Sequence, residues 1–303
     1  MAARRWWDAI ANWKSRHRLT QNRLTQNRLT QNRLTRPPCL DLFIGTFPMG
    51  VIYIGDRNTG KTSLVLELAH PSSQFVKVTD PLYNQLKALL YNDQEGKTMA
   101  TDASQATYDR QLEIEVTLPS RPKNIYTEWI DTPGEIWRST WQNDNPNEWE
   151  KFMKTARRSQ GVCLVLSPYR EIIRQEDGII QEDFITRKQW IQRFERWVKF
   201  FRQDCRQAKH LVLCLNKADL IRGIDLKEEA RKLAYHPVDA EMNWMQRNDY
   251  VFKRFFGPLQ SHIAELNQYT SGLSVRCFIT SIYSRELVEL PWIYLGTYLS
   301  SNQ

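Results

Sequence analysis

The 303-residue sequence lacks any apolar run near the roughly 20 residues that a membrane-spanning helix needs. Its first residues carry no long apolar stretch, so no secretory leader is expected. There is no C-x-x-C pair, and the cysteines are odd in number: Cys39, Cys163, Cys205, Cys214 and Cys277. That argues against a disulfide framework. Cys163, Cys214 and Cys277 fall inside apolar, strand-like runs, and buried free thiols in a reducing cytoplasm are the expectation. Acidic residues are nearly missing from residues 1–36. Asp8 stands there alone, against nine of the 42 Lys and Arg. That segment therefore accounts for the whole formal charge of +8, and the rest of the chain balances. The composition predicts a basic tail on a neutral body. It gives no ground for a nucleic-acid groove on that body.

The tail reads in two parts. "RRWWDAIANWKSRHR" sets Trp6, Ile10 and Trp13 at helical spacing with bases opposite, which predicts a short basic amphipathic helix over 1–17. An anionic membrane surface contacted through residues 1–36 and a protein surface suit it equally. "RLTQN" then repeats every five residues. Each Leu moves on by about 140° around a helix, and an odd period alternates faces in a strand. Neither form gains a buried face, so 18–39 is expected to be a flexible spacer ending at "RPP".

From 40 to 303 apolar strand-like runs alternate with helical patterns. The runs are 51–54, 112–118, 125–130, 161–166, 210–215 and 274–280. The clearest helical pattern covers 180–207, with Phe184, Ile191, Phe194, Val198 and Phe201 on one face. This alternation predicts an α/β fold with a mainly parallel sheet. "LEIEVTLP" followed closely by "NIYTEWI" predicts an antiparallel hairpin at its edge. Two stretches, near 71–106 and 136–160, exceed what the alternation requires. The second carries Trp137, Trp141 and Trp149. Packing on the domain's own helices is the expectation for them, with a partner-binding surface as the sharper reading.

"GDRNTGKTS" runs from Gly55 through Asp56, Arg57, Asn58, Thr59, Gly60, Lys61 and Thr62 to Ser63, behind the strand "VIYI". It fits the phosphate-loop pattern G-x-x-x-x-G-K-T in full. The glycines let backbone N–H groups face a phosphate, Lys61 reaches the β and γ phosphates, and the Thr62 hydroxyl suits Mg2+. "DTPG" follows at 131–134. Asp131 can hold Mg2+ through water, and Gly134 can offer its N–H to a γ-phosphate. "NKAD" at 216–219 ends another apolar run. Asp219 can accept from guanine N1–H and N2–H2, donors that adenine lacks. Asn216 can meet guanine O6 or brace the phosphate loop, and the Lys217 stem can lie over the ring.

These three motifs, in this order over roughly residues 46–300, resemble the Ras-like and translation-factor class of P-loop GTPases. The resemblance implies a three-layer fold with a six-stranded, mainly parallel sheet and one antiparallel edge strand. It implies GTP or GDP and Mg2+ as ligands, two switch loops and a protein effector. "ITSIY" at 279–283 is similar to the final base-contacting loop, with Ser281 matching and Ile282 departing from the usual small residue. Thr107 is the preferred switch threonine for Mg2+. Glu135 stands where Ras-like members carry a water-orienting Gln, so Glu135 and Lys61 are the catalytic candidates. Asn58 is similar to the Era-like asparagine that holds K+. The function so implied is a slow, Mg2+-dependent, cytoplasmic GTPase switch, and the tail leaves a peripheral membrane site and a protein site equally open. The alternative is a non-hydrolysing, GTP-bound scaffold.

Overall fold

The computed structural model describes residues 50–92, 97–98, 108–131, 136, 139–176, 178–238, 241–269 and 272–299. The expected helix at 1–17, the spacer at 18–39, and Thr107, Gly134, Glu135 and Trp137 lie outside them. No helix among the described residues is long and apolar enough to cross a membrane.

Seven strands form one sheet: β1 (Val51–Gly55), β2 (Val76–Asp80), β3 (Tyr108–Val116), β4 (Lys123–Asp131), β5 (Gly161–Leu166), β6 (His210–Leu215) and β7 (Ser274–Ile279). Their spatial order is β2-β3-β4-β1-β5-β6-β7. Every pair is parallel except those made by β3, which runs antiparallel to β2 and β4. All residues of β1 and β5 are buried, as unbroken apolar runs require of central parallel strands. The fold is thus the expected α/β sheet with an antiparallel hairpin, and it carries one strand more than six. β2 adds on outside the hairpin, pairing Val76 with Val116, Lys77 with Glu115 and Val78 with Ile114. Val76 and Val78 are buried, while Lys77 points to solvent opposite Glu115. The antiparallel strand is therefore second from the edge.

The helices are α1 (Lys61–Ala69), α2 (Tyr83–Leu90), α3 (Ser139–Asp144), α4 (Pro146–Arg158), α5 (Arg187–Gln203), α6 (Leu226–Leu233), α7 (Trp244–Phe255), α8 (Gln260–Tyr269) and α9 (Arg285–Tyr298). α1 and α9 pack together over the face that presents Tyr53, whose ring meets Trp292. A second group joins α4 to α5 through stacked Phe152 and Phe200, and α5 to α8. α5 starts later than its apolar pattern, because Thr186 and Gln189 form a reciprocal cap there. Phe184 is buried ahead of the helix, and Ile191 is half-buried rather than core. Trp141 and Trp149 pack against the core, as expected of them. Cys163, Cys205, Cys214 and Cys277 are buried free thiols.

A buried ion pair ties distant elements together. Arg285 Nε lies 2.6 Å from Glu289 Oε1. The same guanidinium donates to the carbonyls of Glu67 and Leu68 at the end of α1, and to Val76 of β2. Glu289 in turn accepts from the amides of Gln74 and Phe75. One side-chain pair thereby satisfies backbone groups that the helix end and the strand entry leave open.

Candidate functional site

The loops that leave the C-terminal ends of β1, β6 and β7 meet in one place, beside the point where the strand order reverses around β1. That is where open α/β sheets place their ligands. A Cβ at Gly55 would lie 2.4 Å from the Val165 carbonyl oxygen, so only glycine lets the chain leave β1 this close to β5. The loop then turns through left-handed backbone at Asn58 (φ 63°) and Gly60 (φ 84°). A Cβ at Gly60 would come within 2.5 Å of Asn216 Nδ2. Thr59 Oγ1 donates to the Asp56 carbonyl at 2.9 Å. Lys61 is 4% exposed, and its Nζ donates to the carbonyls of Gly55 and Asp56, each at 2.9 Å. Thr62 and Ser63 are half-buried in the first turn of α1, whose start no side chain caps. Uncapped amides at a helix N-terminus favour an anion.

Asn216, 3% exposed, joins all three loops. Its Nδ2 donates to the Thr59 carbonyl at 2.8 Å, and its Oδ1 accepts from Thr280 Oγ1 at 3.2 Å. Of the two roles open to it from sequence, the brace is the one seen. The Ala218 amide donates to the Thr280 carbonyl at 3.1 Å, which holds the β6 and β7 loops edge to edge. Asp219 Oδ1 accepts from Ser281 Oγ at 2.6 Å, and the Tyr283 amide donates to the same Oγ at 3.2 Å. Ser281 is fully buried, whereas Ile282 and Tyr283 are exposed.

Burial dominates the electrostatics of Lys217 and Asp56. It pushes the Lys217 ammonium below its ordinary range, with Asp183 and Asp219 pulling the other way. It pushes the Asp56 carboxyl up, against Arg193, Lys61 and Arg196 and a hydrogen bond from the Trp197 side chain.

One wall of the site was not legible in the sequence. Residues 170–176 and 178–186 flank the loop after β6, bridging Ile173 to Ile221. The Arg174 amide donates to the Leu220 carbonyl and that of Arg222 to Ile172. This brings the Phe184 ring to 5.2 Å from Lys217 Nζ, a cation–π contact. Phe184 fits the apolar stripe of the following helix, so periodicity assigned it there. Asp131 closes β4 opposite Tyr108. The remaining candidates, Gly134, Glu135 and Thr107, fall outside the described residues.

Neither a family model nor a curated relative matches the sequence. Among solved structures, the chain is similar to a GTP-binding protein from the hyperthermophilic archaeon Sulfolobus solfataricus, in complex with GDP, at 15% identity and a TM-score of 0.42. The match covers 84% of this chain, which spans only 54% of that protein.

Proposed function

We propose that this chain binds GTP and GDP with Mg2+ and hydrolyses GTP slowly, acting as a nucleotide switch for a protein effector. The observation that carries the reading is Asn216, which ties the Gly55–Thr62 loop to the two loops holding Asp219 and Ser281. A phosphate-binding backbone and a guanine-reading carboxylate are thereby parts of one framework. The site fits a nucleotide: the Gly60 turn leaves no room for a side chain, and the uncapped start of α1 suits a phosphate. In this reading Gly55 to Ser63 hold the phosphates, with Lys61 on the β and γ groups, while Lys217, Asp219, Ser281 and Ile282 face the base.

Thr62, Asp131 and Thr107 would hold Mg2+, which when bound offsets the charge that develops on the phosphates. Gly134 would bond the γ-phosphate, and Glu135 would act beside the attacking water. Asn58, exposed at the loop crest, is the group that would hold K+. Residues 1–36 would contribute as a membrane- or protein-directed arm, with the helix at 1–17 carried on the spacer 18–39.

The test is the nucleotide content of the purified full chain, followed by phosphate release from added GTP under multiple-turnover conditions with K+ or Na+. Bound guanine nucleotide and phosphate release beyond one equivalent support the switch. Bound nucleotide with no turnover replaces it with a non-hydrolysing scaffold. Equal affinity for ATP and GTP overturns the guanine reading.

A further inference from the structure

The loop from Gly55 to Thr62 contains one acidic residue, Asp56, at the position after its first glycine. Its charge has the same sign as the anion that the loop's backbone and lysine suit. The Asp56 carbonyl accepts from Lys61 Nζ at 2.9 Å, so the residue stands inside the phosphate-binding turn rather than at its margin. Its side chain is only 13% exposed and reaches α5, where Arg193 Nη1 lies 3.8 Å from Asp56 Oδ2. Arg193, Arg196 and Trp197 are spaced i, i+3 and i+4, so α5 presents all three on one face. The groups that face the carboxylate are thus Arg193, Arg196 and Trp197 from α5 and Lys61 from α1. Arg193, 40% exposed, is paired with a carboxylate that is nearly covered.

We propose that Arg193 is a positioning residue for phosphate binding. By pairing with Asp56 it cancels the negative charge built into the loop and holds that carboxylate against α5. The inference rests on reading Gly55–Thr62 as a phosphate site. Without Arg193, the Asp56 charge opposes an incoming polyanion and competes for the Lys61 ammonium. Poorly solvated surroundings make that opposition stronger than it is in water.

The experiment is calorimetric titration of the full chain with pyrophosphate and with GDP at pH 7.5. It compares native protein, Arg193→Gln, Asp56→Asn, the double variant and Arg193→Lys, after thermal melts establish that each folds. At pH 7.5 Arg193→Gln is expected to weaken both ligands about tenfold, or about 1.4 kcal/mol. The same substitution should have no effect when made in Asp56→Asn, and Arg193→Lys should stay within about threefold of native.

Native-like binding by Arg193→Gln overturns the proposal. So does an equal loss in the Asp56→Asn background, which would mark Arg193 as a mere support for α5. If Arg193→Gln does not fold, Arg193→Met, which keeps most of the stem, makes the same comparison. Native protein that binds neither pyrophosphate nor GDP refutes the phosphate site itself, and the proposal falls with it.

Discussion

Ser281 Oγ donates to Asp219 Oδ1 at 2.6 Å, linking two loops that lie 62 residues apart in sequence. The bond occupies one carboxylate oxygen and fixes its plane. If Asp219 reads the base as proposed, Asp219→Asn puts a donor where guanine N1–H and N2–H2 need an acceptor. Charged hydrogen bonds contribute about 1.5–3 kcal/mol each. GTP affinity is expected to fall by roughly 10- to 150-fold by that figure, with xanthosine triphosphate gaining in its place. Competition of both nucleotides against a fluorescent analogue measures the exchange. Unchanged preference for GTP would remove Asp219 from base recognition.

Asn216→Ala strips the Thr59 carbonyl and the Thr280 hydroxyl of their buried partner. The cost expected is about 1–3 kcal/mol of stability. Nucleotide affinity should fall as well, because the phosphate loop loses its tie to β6. Urea denaturation with and without GDP separates the two. A loss of stability with native affinity would show that the brace holds the fold and leaves the ligand untouched.

Glu289→Gln leaves the Arg285 guanidinium buried without its counter-charge and gives the Gln74 and Phe75 amides a weaker acceptor. Breaking one side of such a pair costs about 3–5 kcal/mol. Replacing both residues with apolar side chains of similar size removes the charge but also bares the carbonyls of Glu67, Leu68 and Val76. The double variant should therefore remain less stable than native. A urea midpoint equal to that of native protein for Glu289→Gln would contradict this.

His210 sits at the start of β6, with Nδ1 3.0 Å from the Tyr294 hydroxyl. Burial, and then the nearby Arg276 and Lys209, hold its pKa below the ordinary 6.5. Below 6.5 the unfolded chain takes up a proton that the folded chain resists. The unfolded state then binds more protons, and stability falls as pH falls. His210→Gln should lose less stability than native between pH 7 and pH 5, as read from urea midpoints at each pH. Equal losses would show that His210 is not the source.

The central strands were plain in sequence because β1, β5 and, after His210, β6 are covered on both faces and must be apolar there. β2 was not. "VKVTD" is short and alternates with charge, and only its pairing with β3 makes a strand of it. The course of the Gly55–Thr62 loop could be read from residue spacing, since Gly55 and Gly60 stand where a Cβ would meet Val165 and Asn216. Asn216 was found with two uses open, because choosing between them depends on where the loops after β1 and β7 stand. Arg193 and Phe184 lay hidden. Each is separated from its partner by more than 30 residues, and each matches an ordinary helical pattern that explains it locally.

The Arg285–Glu289 pair also imposes an order on synthesis. Its contacts with Glu67 and Gln74 span 218 and 215 residues. A nascent chain that has emerged only as far as β6 already holds α1 and β2. It has nothing to close the carbonyls at the end of α1 or the amides that lead into β2. That flank of the sheet stays unsealed while more than 70 further residues are made, so a stalled or shortened chain exposes it to other chains in the meantime.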